Sequence, residues 1–367
     1  MAGIVAAAAL PFVRLRPNRI AEGVSRFLGE ADPAAAAVLL ALWGIAGIAA
    51  IVRMAQAARA KLTVLVSIAA PLCAIVAAGL VTSRLAGLDP IARVSLSAGF
   101  WATTVLGYSS FLSASRKMPA GAGFGRGLGR RVLGFSVPVI VGALLFSGFL
   151  DAVSVMREWA VQKTVFLAET ASHLVLAGIA VFFGCLLGIL IGVLSLRSVT
   201  VRRIAPWVLI LPLAALSRRF PILHAWGIGG IGRAPAIFAL SFYAMLPIAR
   251  NTYTALAQIP AALRDAGKGM GMTRGQLLAR VEVPLALPLI LAGVRTAAVQ
   301  AVGNTVVAAL IGAGGLGIFI FQGLGQYAAD MILLGTLPVI AMAVIIDMLL
   351  GGVVRLLTPK PLREAAA

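Results

Sequence analysis

Pro260-Ala-Ala-Leu-Arg264-Asp265-Ala266-Gly267-Lys268-Gly-Met-Gly271-Met-Thr273-Arg274-Gly-Gln276-Leu-Leu-Ala-Arg280-Val-Glu-Val283-Pro284 is a long polar stretch set between apolar runs in the second half of the chain. Pro260 suits the first turn of a helix, Gly271 can take the left-handed turn that ends one, and Pro284 is expected to stop the next. Thr273 and Gln276 stand three apart, the spacing of a capping box in which each satisfies a free backbone donor of the other. The expectation is helix, sharp turn, helix. Taken alone, such a hairpin also suits a solvated connector.

The surrounding chain decides what the hairpin is set in. Of 367 residues, 61% are hydrophobic and 12% charged, against roughly a quarter charged in soluble domains. An all-α integral membrane protein is therefore expected. The net charge of +19 is dispersed over short loops between apolar runs, which argues against a nucleic-acid surface. Cys73 and Cys185 each lie inside an apolar run, so neither a disulfide framework nor a zinc site is indicated.

About ten transmembrane helices are expected. Residues 1–13 form a short first span, for which a signal segment is the competing reading. Spans follow at about 34–52, 62–81, 91–112 and 132–150, which makes residues 1–150 an N-terminal region of about five spans. Residues 151–171 are expected as an extracytoplasmic amphipathic connector. The core, 172–357, holds spans at about 172–194, 205–220, 233–252, 287–311 and 331–357, with the 260–284 loop between the third and fourth and a tail at 358–367. With both termini in the cytoplasm, the inner segments carry 19 Lys and Arg and the outer ones 11, the sense of the positive-inside rule. Arg14, Arg16, Arg19 and Arg26 dissent.

Chemistry of its own is hard to find in this chain. Gly267-Lys268 lacks the rest of a phosphate-cradling loop, His173 and His224 form no His-Glu-x-x-His pair, and no Gly-x-Ser-x-Gly elbow occurs. No catalytic residue, metal ligand or cofactor is expected. Any ATP must be hydrolysed by a separate subunit.

The order Asp265-Ala266-Gly267, then Gly271, then Val281-x-Val283-Pro284 resembles the EAA loop of ATP-binding-cassette importer permeases, with Asp for Glu and Gly for the second Ala. Leu246-Pro-Ile-Ala-Arg250-Asn251-Thr252-Tyr253, Gly293-Val-Arg295-Thr-Ala and Ile311-Gly-Ala-Gly314-Gly315-Leu-Gly317 look like the permeases of glycine betaine, choline and related osmoprotectant importers. The resemblance covers roughly 166–357. It implies a five-helix type I importer core in a bacterial inner membrane and a second permease subunit, expected as a homodimer. It also implies cytoplasmic ATPase subunits docked on the loop and an extracytoplasmic solute-binding protein. Arg264, Asp265, Ala266, Gly267, Lys268, Gly271, Arg274 and Pro284 are the coupling residues it marks. Arg264, Lys268 and Arg274 are expected to face acidic groups of the partner, with Leu263, Met270 and Leu277 adding apolar contact. Met270 and Leu277 also suit the inside of the hairpin. An amino-acid or sulfonate importer, and an ATP-independent carrier or channel, are the rival readings.

Two ionisable groups fall within spans, Arg295 and Asp347, at depths of about 12 and 15 Å from the same membrane face. A structural pair is expected, against the alternative that Arg295 snorkels and Asp347 lines a wet cavity. Asn304, Thr305 and Tyr243 are candidates for the translocation path. Gly312, Gly314, Gly315 and Gly317 should break the helix on the outer side.

Overall fold

The computed structural model describes residues 2–17, 22–52, 55–88, 92–116, 140–145, 147–204 and 230–358. The chain divides into two compact units, residues 1–161 with 327–330, and residues 162–326 with 331–367. Residues 132–139 and 146 of the expected span 132–150, the whole of the expected span 205–220 and the tail from 359 lie outside the described residues.

In the first unit, α1 (Ala2–Ala9) leads into a three-stranded antiparallel sheet of β1 (Val13–Arg16), β2 (Val24–Arg26) and β3 (Arg93–Leu96), in the order β2-β1-β3. Val13 stands opposite both Arg26 and Leu96. The all-α expectation is corrected here. Val13-Arg-Leu-Arg16 alternates apolar and charged with the period of a strand, and residues 1–13 hold a helix of eight residues, about 12 Å long and too short to cross. After α2 (Leu28–Ala31), α3 (Pro33–Ile51) starts with Asp32 as its N-cap, accepting from Ala35 N at 3.1 Å. It is followed by α4 (Gln56–Leu88) and α5 (Ala98–Arg116). Phe12, Val13, Leu28, Leu39, Trp43, Ala74, Val81 and Phe100 form the core under the sheet. Trp43 lies flat against Gly3, where any side chain would collide with the indole.

The segment expected as a connector at 151–171 is helical from Ser154. With the helix that follows a kink at Gln162 it makes up α6 (Ser154–Arg197). Its first turns belong to the first unit, where Ser154 Oγ donates to Asp330 Oδ2 at 2.5 Å, Arg157 donates to Ala92 O, and Glu158, buried, pairs with Arg93. These partners account for Arg157 and Glu158 in that segment.

The second unit contains the rest of α6, α7 (Val199–Ile204), α8 (Arg233–Ala257), α9 (Ala261–Gly269), α10 (Arg274–Leu277), α11 (Val283–Ala308), α12 (Gly317–Gly325) and most of α13 (Ala329–Leu357). Helix α6 meets α8 through Gly184, Gly188 and Gly192, one glycine per turn. A methyl group on them would come within 2.6 Å of Ala244 Cβ, 2.8 Å of Ile248 Cβ and 2.5 Å of Thr252 Cβ respectively. Small residues at this spacing let two backbones approach where lipid offers no hydrophobic drive for association. Helices α8 and α11 are antiparallel partners: Leu240 clusters with Ala308, Ile248 with Ala297, and Leu256 with Ala286 and Ile290.

Among the described residues, five helices are long and apolar enough to cross a membrane: Pro33–Ile51, Ala58–Ala86, Ser154–Leu196, Arg274–Ile311 and Ala329–Leu357. The count of ten is not reached in them. Helix α8 is long enough but less apolar, and the expected span 91–112 is shared between β3 and α5.

Candidate functional site

The hairpin begins where α8 ends. Pro260 stands one residue before α9 with φ −56° and ψ 136°, the geometry of a helix entry. At the other end of α9, Gly271 has φ +78°, Gly271 N donates to Lys268 O at 2.9 Å, and Met272 N donates to Gly267 O at 3.2 Å. These two bonds make a Schellman motif, which only a residue free to take positive φ completes without strain. Thr273 then caps α10 with both bonds of the capping box: Gln276 N to Thr273 Oγ1 at 3.3 Å and Thr273 N to Gln276 Oε1 at 2.9 Å. Both ends of the turn are thus satisfied by bonds within the hairpin.

Pro284 does not end the second helix. A π-helical turn at Leu278–Glu282 joins α10 to α11, and Val283 N donates to Leu278 O five residues back. Proline removes one donor and crowds the carbonyl four residues before it; the wider π turn gives the ring room. The result is one helical rod from Arg274 to Ala308, with Pro284 exposed in its first α-helical turn.

Inside the hairpin, the buried Leu277 places Cδ1 2.5 Å from where a Cβ on Gly267 would sit, so the two short helices touch at a glycine. Met270 is 69% exposed and Leu263 45%, which separates the apolar residues into one that packs within and two that face outward. Arg264 is not available to a partner in the expected way: Nε donates to Glu282 Oε1 at 2.7 Å and Nη2 to Leu256 O at 2.5 Å. It ties α9 both to the π turn and to the end of α8. Lys268 reaches Asp265 at 3.0 Å on the outer surface, and Ala266 and Arg274 are exposed. The outward face therefore carries Leu263, Asp265, Ala266, Lys268, Met270 and Arg274.

Further along the rod, Arg295 makes a two-pronged ion pair with Asp347 of α13, Nε to Oδ1 at 2.6 Å and Nη2 to Oδ2 at 2.5 Å. The guanidinium lies over Gly351, whose Cβ would stand 3.2 Å from Arg295 Cζ. A forked pair of this kind is the arrangement in which a guanidinium holds a carboxylate most firmly.

The path candidates do not share a face. Asn304 is exposed, whereas Thr305 is fully buried, with its hydroxyl bonded back to Ala301 O at 2.7 Å. Neighbouring residues point about 100° apart on a helix, so Thr305 is corrected to a packing position. Tyr243 is 53% exposed on α8.

At the far end of α11, about 40 Å from the hairpin by helix length, the chain leaves through a 3-10 turn at Ala309–Ile311. Gly312, Gly314 and Gly315 all have positive φ. Glu169 and His173, one turn apart on α6, hold this loop. Glu169 Oε2 accepts from Gly315 N at 2.5 Å, His173 Nδ1 accepts from Leu316 N at 3.3 Å, and His173 Nε2 donates to Val302 O at 2.9 Å. The buried imidazole is thereby fixed as the Nε2–H tautomer. Sequence reasoning passed over His173 as isolated; its i, i+4 spacing from Glu169 was the available signal.

Residues 131–363 match the binding-protein-dependent transport system inner membrane component family. The chain belongs to that family: it is a permease component of a transport system of the inner membrane. Residues 1–156 match the N-terminal domain of the ABC transporter permease YehY. The osmoprotectant import permease protein OsmW of Salmonella typhimurium is 41% identical over 199 residues, 53% of this chain and 92% of that protein. The glycine betaine/carnitine/choline transport system permease protein OpuCB of Bacillus subtilis is 41% identical over 202 residues, 54% of this chain and 90% of that one. Among solved structures, the inward-facing MetNI methionine ABC transporter is similar at 24% identity with a TM-score of 0.49, over 54% of this chain and 98% of that chain.

Proposed function

We propose that this chain is the transmembrane subunit of an ATP-driven importer for an osmoprotectant-type solute such as glycine betaine, choline or a similar quaternary amine. Separate cytoplasmic ATPase subunits act on it through the 260–284 hairpin. The observation that carries the mechanism is the hairpin's construction: two short helices capped on both sides of one glycine, bolted by Arg264 to Glu282 and Leu256 O, and continuous with α11. A body held this way moves as a unit, so displacement by a docked ATPase tilts the span rather than deforming the loop. Its outward Leu263 and Met270, ringed by Asp265, Lys268 and Arg274, have the apolar centre and charged rim of a protein contact.

The solute class rests on the names of the relatives at about 40% identity. Exposure of Tyr243 and Asn304 in the single chain supports a path closed by a second copy, with an extracytoplasmic binding protein delivering the solute. A methionine-like, other amino-acid or sulfonate solute is the second reading for the same machine, and an ATP-independent carrier is the rival mechanism.

Reconstitution separates them. The chain, co-purified with its ATPase and placed in proteoliposomes, should accumulate labelled glycine betaine or choline only with ATP inside and binding protein outside. Uptake by the chain alone without ATP would overturn the mechanism; ATP-dependent uptake of an amino acid in place of the quaternary amines would overturn the solute class.

A further inference from the structure

A crevice of about 610 Å³ opens in the first unit between the start of α4 and the end of α5, well away from the hairpin in sequence. Gln56, Arg59, Ala60 and Thr63 follow one another at i, i+3, i+4 and i+7, a single face of α4, and Ser110, Ser113 and Ala114 line it from α5. The two helices run antiparallel. They are in close approach further in, where a Cβ on Gly107 would lie 2.4 Å from the ring of Pro71. Beyond that contact, toward Arg59, their facing side chains are polar.

The lining is one-sided in charge. It supplies a guanidinium, a carboxamide and three hydroxyls, and among the described residues no carboxylate. Arg59 Nη2 donates to Val52 O at 2.9 Å, which fixes one arm of the guanidinium, and Thr63 Oγ1 donates to the Arg59 backbone O at 2.8 Å. The Arg59 Nε is buried and has no partner among the described residues. A guanidinium fixed by one arm on the wall of a crevice whose other polar lining is uncharged is suited to an oxyanion, because a charge-assisted hydrogen bond is about twice as strong as a neutral one.

The depth of the crevice narrows the ligand further. By length and apolar composition the stretch of α4 suited to cross a membrane is Ala58–Ala86, and Arg59 lies in its first turn, which corresponds to the headgroup level. Basic pockets beside a span at that level take phosphate headgroups. We propose that this crevice is a phosphate-binding site of the N-terminal unit, with Arg59 as the charged donor and Ser110 and Ser113 as hydroxyl donors. The phosphate is that of an anionic phospholipid or a free phosphate ion.

The test uses the full-length chain in neutral detergent, with lipid binding counted by native mass spectrometry for phosphatidylglycerol and phosphatidylcholine. Inorganic phosphate is titrated separately against the melting temperature. Phosphatidylglycerol should bind in preference to phosphatidylcholine. Arg59→Gln should weaken it about tenfold, the loss of one charge-assisted contact. Ser113→Asp, at an exposed position where folding is not at stake, should weaken it likewise by placing a carboxylate in the crevice. Lys61→Gln removes an equal charge from another face of α4 and should leave it unchanged. A rise in melting temperature with inorganic phosphate that Arg59→Gln and Ser113→Asp abolish, without lipid preference, identifies the free ion as the source. The proposal fails if neither ligand is preferred, if Ser113→Asp binds as the parent does, or if Lys61→Gln loses as much as Arg59→Gln.

Discussion

The guanidinium of Arg264 spans the hairpin to the carboxylate of Glu282, Nε to Oε1 at 2.7 Å, while its other arm caps Leu256 O. One side chain thus holds three consecutive segments, the end of α8, the middle of α9 and the π turn, in a fixed relation. Both charged groups are mostly buried by the hairpin itself, at 29% and 14% side-chain exposure.

Replacing Arg264 by Ala should therefore uncouple the hairpin without removing any partner-facing group. Binding-protein-stimulated ATP hydrolysis is expected to fall at least about tenfold. A double-mutant cycle with Glu282→Gln should return a coupling of about 1 kcal/mol in thermal stability. Exchanging the two residues should not restore function, because Glu at 264 cannot donate to Leu256 O. Full restoration by the exchange would reduce Arg264 to its charge.

The contact of Leu277 with Gly267 makes a graded prediction. Alanine at 267 requires only the end of a leucine side chain to turn aside, so Gly267→Ala should keep most activity. Gly267→Val should not, and adding Leu277→Ala should recover it by clearing the space. Equal loss in Gly267→Ala and Gly267→Val would point to backbone freedom rather than packing.

At Gly271 the surroundings are open, with no atom within 4 Å of the place a Cβ would take, and the constraint is the backbone alone. Gly271→Val should cost about 1 to 2 kcal/mol through its φ of +78° and abolish coupling while the chain still inserts. Gly271→Asn should be the mildest replacement, since Asn tolerates the left-handed region. Transport assays on the two variants side by side check this; full uptake by the Val variant would overturn the lever.

The Arg295–Asp347 pair predicts reciprocal rescue. Asp347→Arg alone should lower the yield and melting temperature of the membrane-inserted chain by leaving two cations facing each other. Arg295→Asp with Asp347→Arg should recover both in part. Gly351→Leu should mimic the single reversal, because the guanidinium lies where that side chain would go. Melting curves in detergent are the readout.

Local rules made the hairpin legible: the positive φ at Gly271 and the Thr273–Gln276 box follow from residue type and spacing alone. The ion pair was accessible because two charges at matched depth in an apolar chain have few alternatives. What escaped the sequence depended on neighbours distant along the chain. Arg264 reads as one more outward cation until Glu282 is folded against it, and Thr305 reads as path-lining until its hydroxyl turns back to Ala301 O. Pro284 reads as a stop because the π turn that accommodates it has no residue signature. The strand at 13–16 carried a readable alternation, but it lies in a segment whose apolar start suggested a span. The Gly184, Gly188 and Gly192 stripe was equally readable and was hidden by the abundance of glycine in the chain.

The π turn at Leu278–Glu282 has an angular meaning as well. A backbone bond that reaches five residues back in place of four admits one residue more than an α-helix would, and each residue is worth about 100° of rotation. The turn therefore sets the azimuth of α9 around the axis of α11. The face formed by Leu263, Met270 and Lys268 points where it does because of one supernumerary residue in the shaft below it.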